Sequence, residues 1–361
     1  MPSKRVQDLF EGKTPDRLPW LPELNDGFCR KTLGIARGTE EDSLPYRVLA
    51  ERVCRKIDAD HLHRITSVQT VQRKVESEWN KADGVAVYHT PKGDLRHATQ
   101  PDENSGTSFT TVHMVNGPED FAAYRALVED EQYVPDYAAA QQIMDQVGMP
   151  TIDVPATPLM HLLMWVMDVQ PTLMAMMDYT DQMVELMAAM HERNKEYYRL
   201  AVAGPGLVFR PMEDTSAMLT GPRMYADYCV GHLNDYADIV HAAGKLFIPH
   251  MCGHLDPMLD VLCDVRLDGI EAITPPPLGN ADLARMRAKL GDIWLWGGVD
   301  PSRYAAAGRE EMIAHVSHTL DVMRGDRKFI LNHEEIPKAA KMENVLAVAE
   351  LVAQTAGTFY R

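Results

Sequence analysis

Cysteine is scarce in this chain: five residues in 361, an odd number and too few to staple a fold of this length. That favours free thiols in a reducing compartment, where an unusual cysteine is a ligand or a nucleophile rather than half of a bridge. No apolar run approaches the length that spans a bilayer. The start, Met1-Pro2-Ser3-Lys4-Arg5, lacks the apolar core of a secretory signal, so a cytoplasmic location is expected. Positive charge is also short, with 36 Lys and Arg against 52 Asp and Glu and a net charge of −16. Nucleic acid and anionic membrane both require a basic face and are excluded as partners. A strongly anionic substrate would need a locally basic pocket. Missing too are a phosphate-binding glycine loop with its lysine, a Gly-x-Ser-x-Gly elbow and a strand followed by Gly-x-Gly-x-x-Gly.

What is present is ordinary globular composition, 45% hydrophobic and 24% charged. From Gly206 onward short apolar runs alternate with helical periods. The runs are Leu207–Phe209, Leu246–Ile248, Gly269–Ile273, Ile293–Trp296 and Phe329–Leu331. After the first of them, Pro222 opens a helix and Gly244 stands where its C-terminal cap should. Five strand–helix units in succession imply a parallel sheet with right-handed crossovers, and with three more units before them a closed α/β barrel of the (β/α)8 type. Arg17–Pro22 is the candidate first strand, behind a short N-terminal extension. Residues 70–115 read as a β-rich insertion, with a strand at Gly84–Tyr88 and a hairpin turn at Thr90–Asp94. Residues 118–148 read as helix. One barrel domain over 1–361 is expected. Of the 22 methionines, 11 lie between Met144 and Met190, and the spacing of Met183, Leu186, Met187 and Met190 makes them a plastic helical core.

In a parallel barrel, catalytic groups lie just past the C-terminal ends of the strands. That rule selects Met212-Glu213-Asp214-Thr215, His250-Met251-Cys252-Gly253-His254, Glu271 with Thr274, Gly297-Gly298-Val299-Asp300 and Asn332-His333-Glu334-Glu335. His250 and Cys252, two apart on a strand end, point to one side. Imidazole and thiolate are good zinc donors, and a catalytic zinc takes three protein ligands and keeps one open position. His333, on the last strand, is the candidate third ligand, with His254 as a substitute for either histidine. Glu213 is a fourth ligand or a general acid/base. Asp214, Glu334 and Glu335 read as solvated, and Cys229 and Cys263 as buried small apolar residues on helix faces. His61-Leu62-His63 is a competing metal motif of the kind barrel hydrolases carry, but it follows no apolar first strand and has no bridging lysine.

Arg17-Leu18-Pro19-Trp20, His241-Ala242-Ala243-Gly244-Lys245, His250-Met251-Cys252-Gly253, Gly298-Val299-Asp300-Pro301 and the closing Ile336-Pro337 with Glu343-Asn344-Val345 resemble the uroporphyrinogen decarboxylase superfamily over essentially the whole chain. The resemblance implies the (β/α)8 barrel and two branches of activity. The decarboxylases take a polycarboxylate tetrapyrrole without metal and carry an arginine-rich N-terminal loop. Pro19–Gly34 here has only Arg30 and Lys31. The zinc-dependent methyltransferases of corrinoid systems hold zinc with the His and Cys of His-x-Cys-Gly plus a later Cys. His250 and Cys252 match, and His333 stands where the later Cys should. Exchanging a thiolate for an imidazole leaves a stronger Lewis acid. The resemblance therefore implies a methyltransferase that demethylates a small methylated donor, a methoxylated aromatic above all, and passes the methyl to cobalamin on a corrinoid partner protein. A thiol methyltransferase and a metal-free decarboxylase-like lyase are the alternatives. A homodimer is compatible with either branch.

Overall fold

The computed structural model describes residues 4–361 except 37, 62, 81–83, 102–107 and 148. Eight parallel strand positions form the frame. They are β1 (Trp20–Leu24), β2 (Arg64–Ile65), β9 (Thr151–Val154), β10 (Val208–Glu213), the broken strand β11 (Leu246–Phe247) and β12 (His250–Met251), β13 (Gly269–Ile273), β14 (Trp294–Gly298) and β15 (Phe329–Ile336). Their order around the sheet is β1-β15-β14-β13-β12-β10-β9-β2, with β11 beside β10. The expected α/β barrel is present, and the five expected strand–helix units all form. Helices cover the outer face, including Lys4–Phe10 at the N-terminus, Tyr46–Lys56 before β2 and the long Thr180–Ala203.

Among the described residues β1 and β2 share no strand ladder. The seam between them is held at its lower end by Asp60, whose amide donates to the carbonyl of Trp20 at 2.9 Å. The carbonyl of His63 accepts from the amide of Thr151 at 2.9 Å, and β2 itself is only two residues long.

Period two divides every strand between two cores. Leu21, Val208, Ile248, Trp294, Trp296 and Ile330 meet inside the barrel, where Val6 and Leu9 of the N-terminal helix join them. Trp20, Phe209, Phe247, Leu295 and Leu331, their neighbours by one, face the helices. Met183, Leu186, Met187 and Met190 are buried in that outer core, as their spacing predicts. The insertion between β2 and β9 is a four-stranded antiparallel sheet, β4 (Glu76–Asn80), β5 (Val85–Thr90), β6 (Gly93–Pro101) and β7 (Ser108–Val112), beside a pair formed by β3 (Val68–Gln72) and β8 (Glu131–Pro135). β8 corrects the expectation of unbroken helix over 118–148. Its only buried side chain, Tyr133, stacks edge-on to Tyr197, so a tertiary contact sets the conformation there.

Two backbone features sit at strand ends. A Cβ on Gly297 would lie 2.3 Å from the carbonyl oxygen of Ile273, and Gly298 has φ +98°, so both positions require glycine. In β13 the register slips between Ile270 and Ile273, and Ala272 takes φ +66°. A non-glycine residue there costs on the order of 1–2 kcal/mol, and the strain lies beside the buried carboxylate of Glu271.

Candidate active site

Arg210 lies on the inward face of β10, one step above Val208, and is 1% exposed. Its Nε donates to Glu271 Oε2 at 2.9 Å, its Nη1 lies 3.4 Å from Asp153 Oδ1, and its Nη2 is 2.7 Å from His250 Nδ1. Glu271 Oε2 also meets His250 Nδ1 at 2.6 Å. His250 Nδ1 therefore serves one of two partners: protonated it donates to Glu271, and unprotonated it accepts from Arg210. Either way the ring is fixed from the Nδ1 side. Although burial opposes its ionisation, the Arg210 and His250 charges hold Glu271 well below the usual carboxylate range. The row of charges continues across the barrel, because Arg64 pairs with Glu23 at 2.5 Å and lies 4.0 Å from Asp153. Both inward arginines, Arg64 and Arg210, are thus committed to carboxylates.

Above this row stands Cys252. Its Sγ lies 3.6 Å from Asp214 Oδ1, and the thiol also bonds to Glu334. Glu334 accepts from Thr274 Oγ1 at 3.1 Å. Burial raises the Cys252 thiol well above its ordinary value, and the neighbouring Glu334 and Asp214 raise it further. Burial likewise raises the carboxyls of Asp214 and Glu334. Three acids crowd one another, so the cluster retains protons that isolated groups would release.

The expected site residues separate. His250 and Cys252 both face inward, as their spacing requires. His333 faces outward on β15: its ring packs 5.0 Å from Tyr304, and its Nδ1 contacts the carbonyl of Glu334. Burial pushes it down to about 4. Glu213 also faces outward, behind β10, where it accepts from the amide and the hydroxyl of Thr157 and from Tyr225, the last at 3.5 Å. Burial pushes its carboxyl up to about 7. Asp214 and Glu334 are in the site rather than solvated, while Glu335 is exposed and accepts from Asn25 at 3.0 Å. Asp300 accepts from the amides of Ser302 and Leu278, a turn-holding role. All five cysteines are free. Cys229 is buried, but Cys263, expected to be buried, is exposed.

Zinc is the group that His250 and Cys252 imply by donor type. His333 is turned away from them, and among the described residues no group of three or more His, Cys, Asp or Glu could hold a metal ion. The expected trio does not fit a zinc ion.

The first of two similar solved structures supports the barrel. A methyltransferase from Methanosarcina mazei is similar over 98% of each chain, with TM-score 0.60 at 12% identity. A B12-independent methionine synthase from a Shewanella species aligns over 85% of this chain and 86% of its own, with TM-score 0.48 at 12% identity. Among curated proteins none matches. The profile of the uroporphyrinogen decarboxylase (URO-D) family matches residues 102–355, more than half of the sequence, and the chain belongs to that family.

Proposed function

We propose that this protein is a methyltransferase of the URO-D family, removing the methyl group of a small methoxylated donor and passing it to the cobalt of a corrinoid carried by a partner protein. The observation that supports this over decarboxylation of a polyanion is the composition of the inward face. A thiol flanked by two carboxyls of raised pKa stands above two arginines that are already paired. A tetrapyrrole with many carboxylates would find neither of those arginines free to pair with it, whereas an ether oxygen would find proton donors.

The partner's corrinoid would accept the methyl group, and this chain's own part is to protonate the oxygen as the methyl–oxygen bond breaks. The departing oxygen takes the proton of Glu334, or of Asp214 across the thiol, and leaves as a neutral hydroxyl. A positioned acid of this kind contributes typically 10²–10⁴-fold. Cys252 holds the two carboxyls in register and shares its proton with them. His250, locked by Glu271 and Arg210, presents Nε2 upward as a hydrogen-bond partner for the donor.

The test is anaerobic incubation of the full chain with cob(I)alamin and a panel of methoxylated aromatics, with uroporphyrinogen as a parallel substrate. Methylcobalamin and demethylated phenol should appear together, and Glu334→Gln should slow their formation by about 10²-fold or more. Coproporphyrinogen formation without methylcobalamin from any donor, with or without added zinc, would overturn the reading in favour of a lyase.

A further inference from the structure

A cavity of about 350 Å³ lies between the end of β9, the β3–β8 pair and the helices Phe121–Asp130 and Thr180–Ala203. That is within the roughly 300–1,000 Å³ of pockets that enclose a small ligand. Tyr124, Tyr133, Tyr197 and Trp165 make much of its wall aromatic, and Glu131 and Asp153 place two carboxyls in it. Two polar side chains of the wall lack partners. Tyr124 is 4% exposed, and its hydroxyl makes no hydrogen bond with a described residue. The ring of His161, also in the wall, makes none either. Buried polar groups are normally paired, so these two point to a ligand.

Charge decides what that ligand is. Arg210 lies nearer Glu271 than Asp153, at 2.9 against 3.4 Å, and Arg64 nearer Glu23, at 2.5 against 4.0 Å. Arg193 acts on Glu131, but it pairs with Glu196 and stacks 4.6 Å over the ring of Tyr133. Glu131 makes no ion pair with a described residue, and its carboxyl accepts only from the Tyr133 hydroxyl, at 2.6 Å. Five carboxyls thus stand against three guanidiniums, and a proton on His250 beside Glu271 would still leave one in excess. Burial pushes His161 down to about 4, so it adds no positive charge. Burial raises Glu131 and Asp153 in spite of the arginines, as expected of carboxyls short of a cation.

An anion would find no uncommitted guanidinium here. A protonated amine would bring the missing charge together with N–H donors, and aromatic faces attract a cation further. We infer that this cavity binds an organic amine in its protonated form, with Glu131 as its charge partner, the Tyr124 hydroxyl as an acceptor, and the tyrosine rings and Trp165 against its carbon skeleton. The inference goes beyond the methyl-transfer reading and does not rest on it.

The test is calorimetric titration of the full chain at neutral pH with benzylamine, benzyl alcohol, benzoate and benzyltrimethylammonium. Benzylamine should bind about tenfold or more tightly than the alcohol or the benzoate. Benzyltrimethylammonium, which keeps the charge without the N–H groups, should fall between benzylamine and the alcohol. Glu131→Gln should weaken benzylamine about tenfold and leave benzyl alcohol unchanged. Tyr124→Phe should weaken benzylamine but not benzyltrimethylammonium, and Trp165→Leu, at a half-exposed ring, should weaken all of them. Absence of benzylamine binding, alcohol or benzoate binding as tight as that of the amine, or undiminished benzylamine binding in Glu131→Gln overturns the amine site. Tighter binding of benzyltrimethylammonium than of benzylamine overturns the hydrogen bonding assigned to Glu131 and Tyr124.

Discussion

Replacing Arg210 by Met should be among the most damaging single changes inside the barrel. The guanidinium is buried, and it lies 2.9 Å from Glu271, which is also fully buried. At an effective dielectric constant of about 20, a pair at that distance interacts by roughly 6 kcal/mol. Desolvation of the two charges offsets much of this, so the pair as a whole contributes little net stability. Removing only the arginine leaves Glu271 buried and unmatched, and a loss of about 3–5 kcal/mol is expected. Urea denaturation followed by tryptophan fluorescence measures it, since Trp294 and Trp296 lie in the barrel interior. The effect also has a pH signature. In the wild type the depressed pKa of Glu271 contributes stability that is present above its unfolded value near 4.5 and is lost as pH falls further. In Arg210→Met the same carboxyl has a raised pKa, and its cost disappears once acid protonates it. The gap between the two proteins should therefore be widest near neutral pH and narrow below about pH 4.5. A gap under about 1 kcal/mol at neutral pH, or one that widens in acid, would refute the buried ion-pair argument.

Glu213 gives the opposite pH dependence. Its folded-state value of about 7 is above the ordinary 4.5, so its ionisation costs stability increasingly as pH rises between those values, by about 3 kcal/mol in total. Glu213→Gln should flatten the stability profile across that window in thermal melts, and an unchanged slope would assign it to other groups. Thiol reactivity should follow exposure and surroundings: iodoacetamide labels Cys263 first, and Cys252 labels slowly until Glu334→Gln or Asp214→Asn removes a carboxyl that helps to hold its thiol up. Peptide mass spectrometry reads both rates. Asn25 caps the helix Asp26–Leu33 by accepting from the amides of Gly27 and Phe28, and Asn25→Ala should cost about 1–2 kcal/mol in the same urea assay.

The barrel was legible because its signal is redundant. Five apolar runs separated by helical periods leave little choice of architecture, and each run became a strand. The first half was harder to read because β2 has only two residues and the insertion is solvated on several strands, so neither carries a strong hydrophobic period. Arg210 and Asp153 lie below the strand ends, where position along the chain gives no reason to expect chemistry. Their only sequence signature is a charged residue in the inward register of a strand otherwise built for a core.

The separation of His333 and Glu213 from the site has a single cause, and the sequence held the means to find it. Selecting residues by height, at the C-terminal ends of strands, is correct but incomplete, because alternation decides whether a side chain at that height enters the barrel. The large side chains fix the phase of each strand. On β15, Ile330 belongs to the inner core and Leu331 to the outer one. Glu334 therefore points in and His333 points out. On β10, Val208 is inside and Phe209 outside, which sends Arg210 inward and Glu213 to the helices. His250 and Cys252 are two and four residues past Ile248 and share its phase, and Cys252 meets Asp214 and Glu334. Extending the same count to the last strand puts a carboxylate, not an imidazole, beside the thiol. Burial of the thiol and of both carboxyls disfavours their charged forms, so all three are raised and the cluster holds its protons. The chemistry inferred for this mouth changes accordingly, from a zinc ion acting on the leaving oxygen to a shared proton delivered to it.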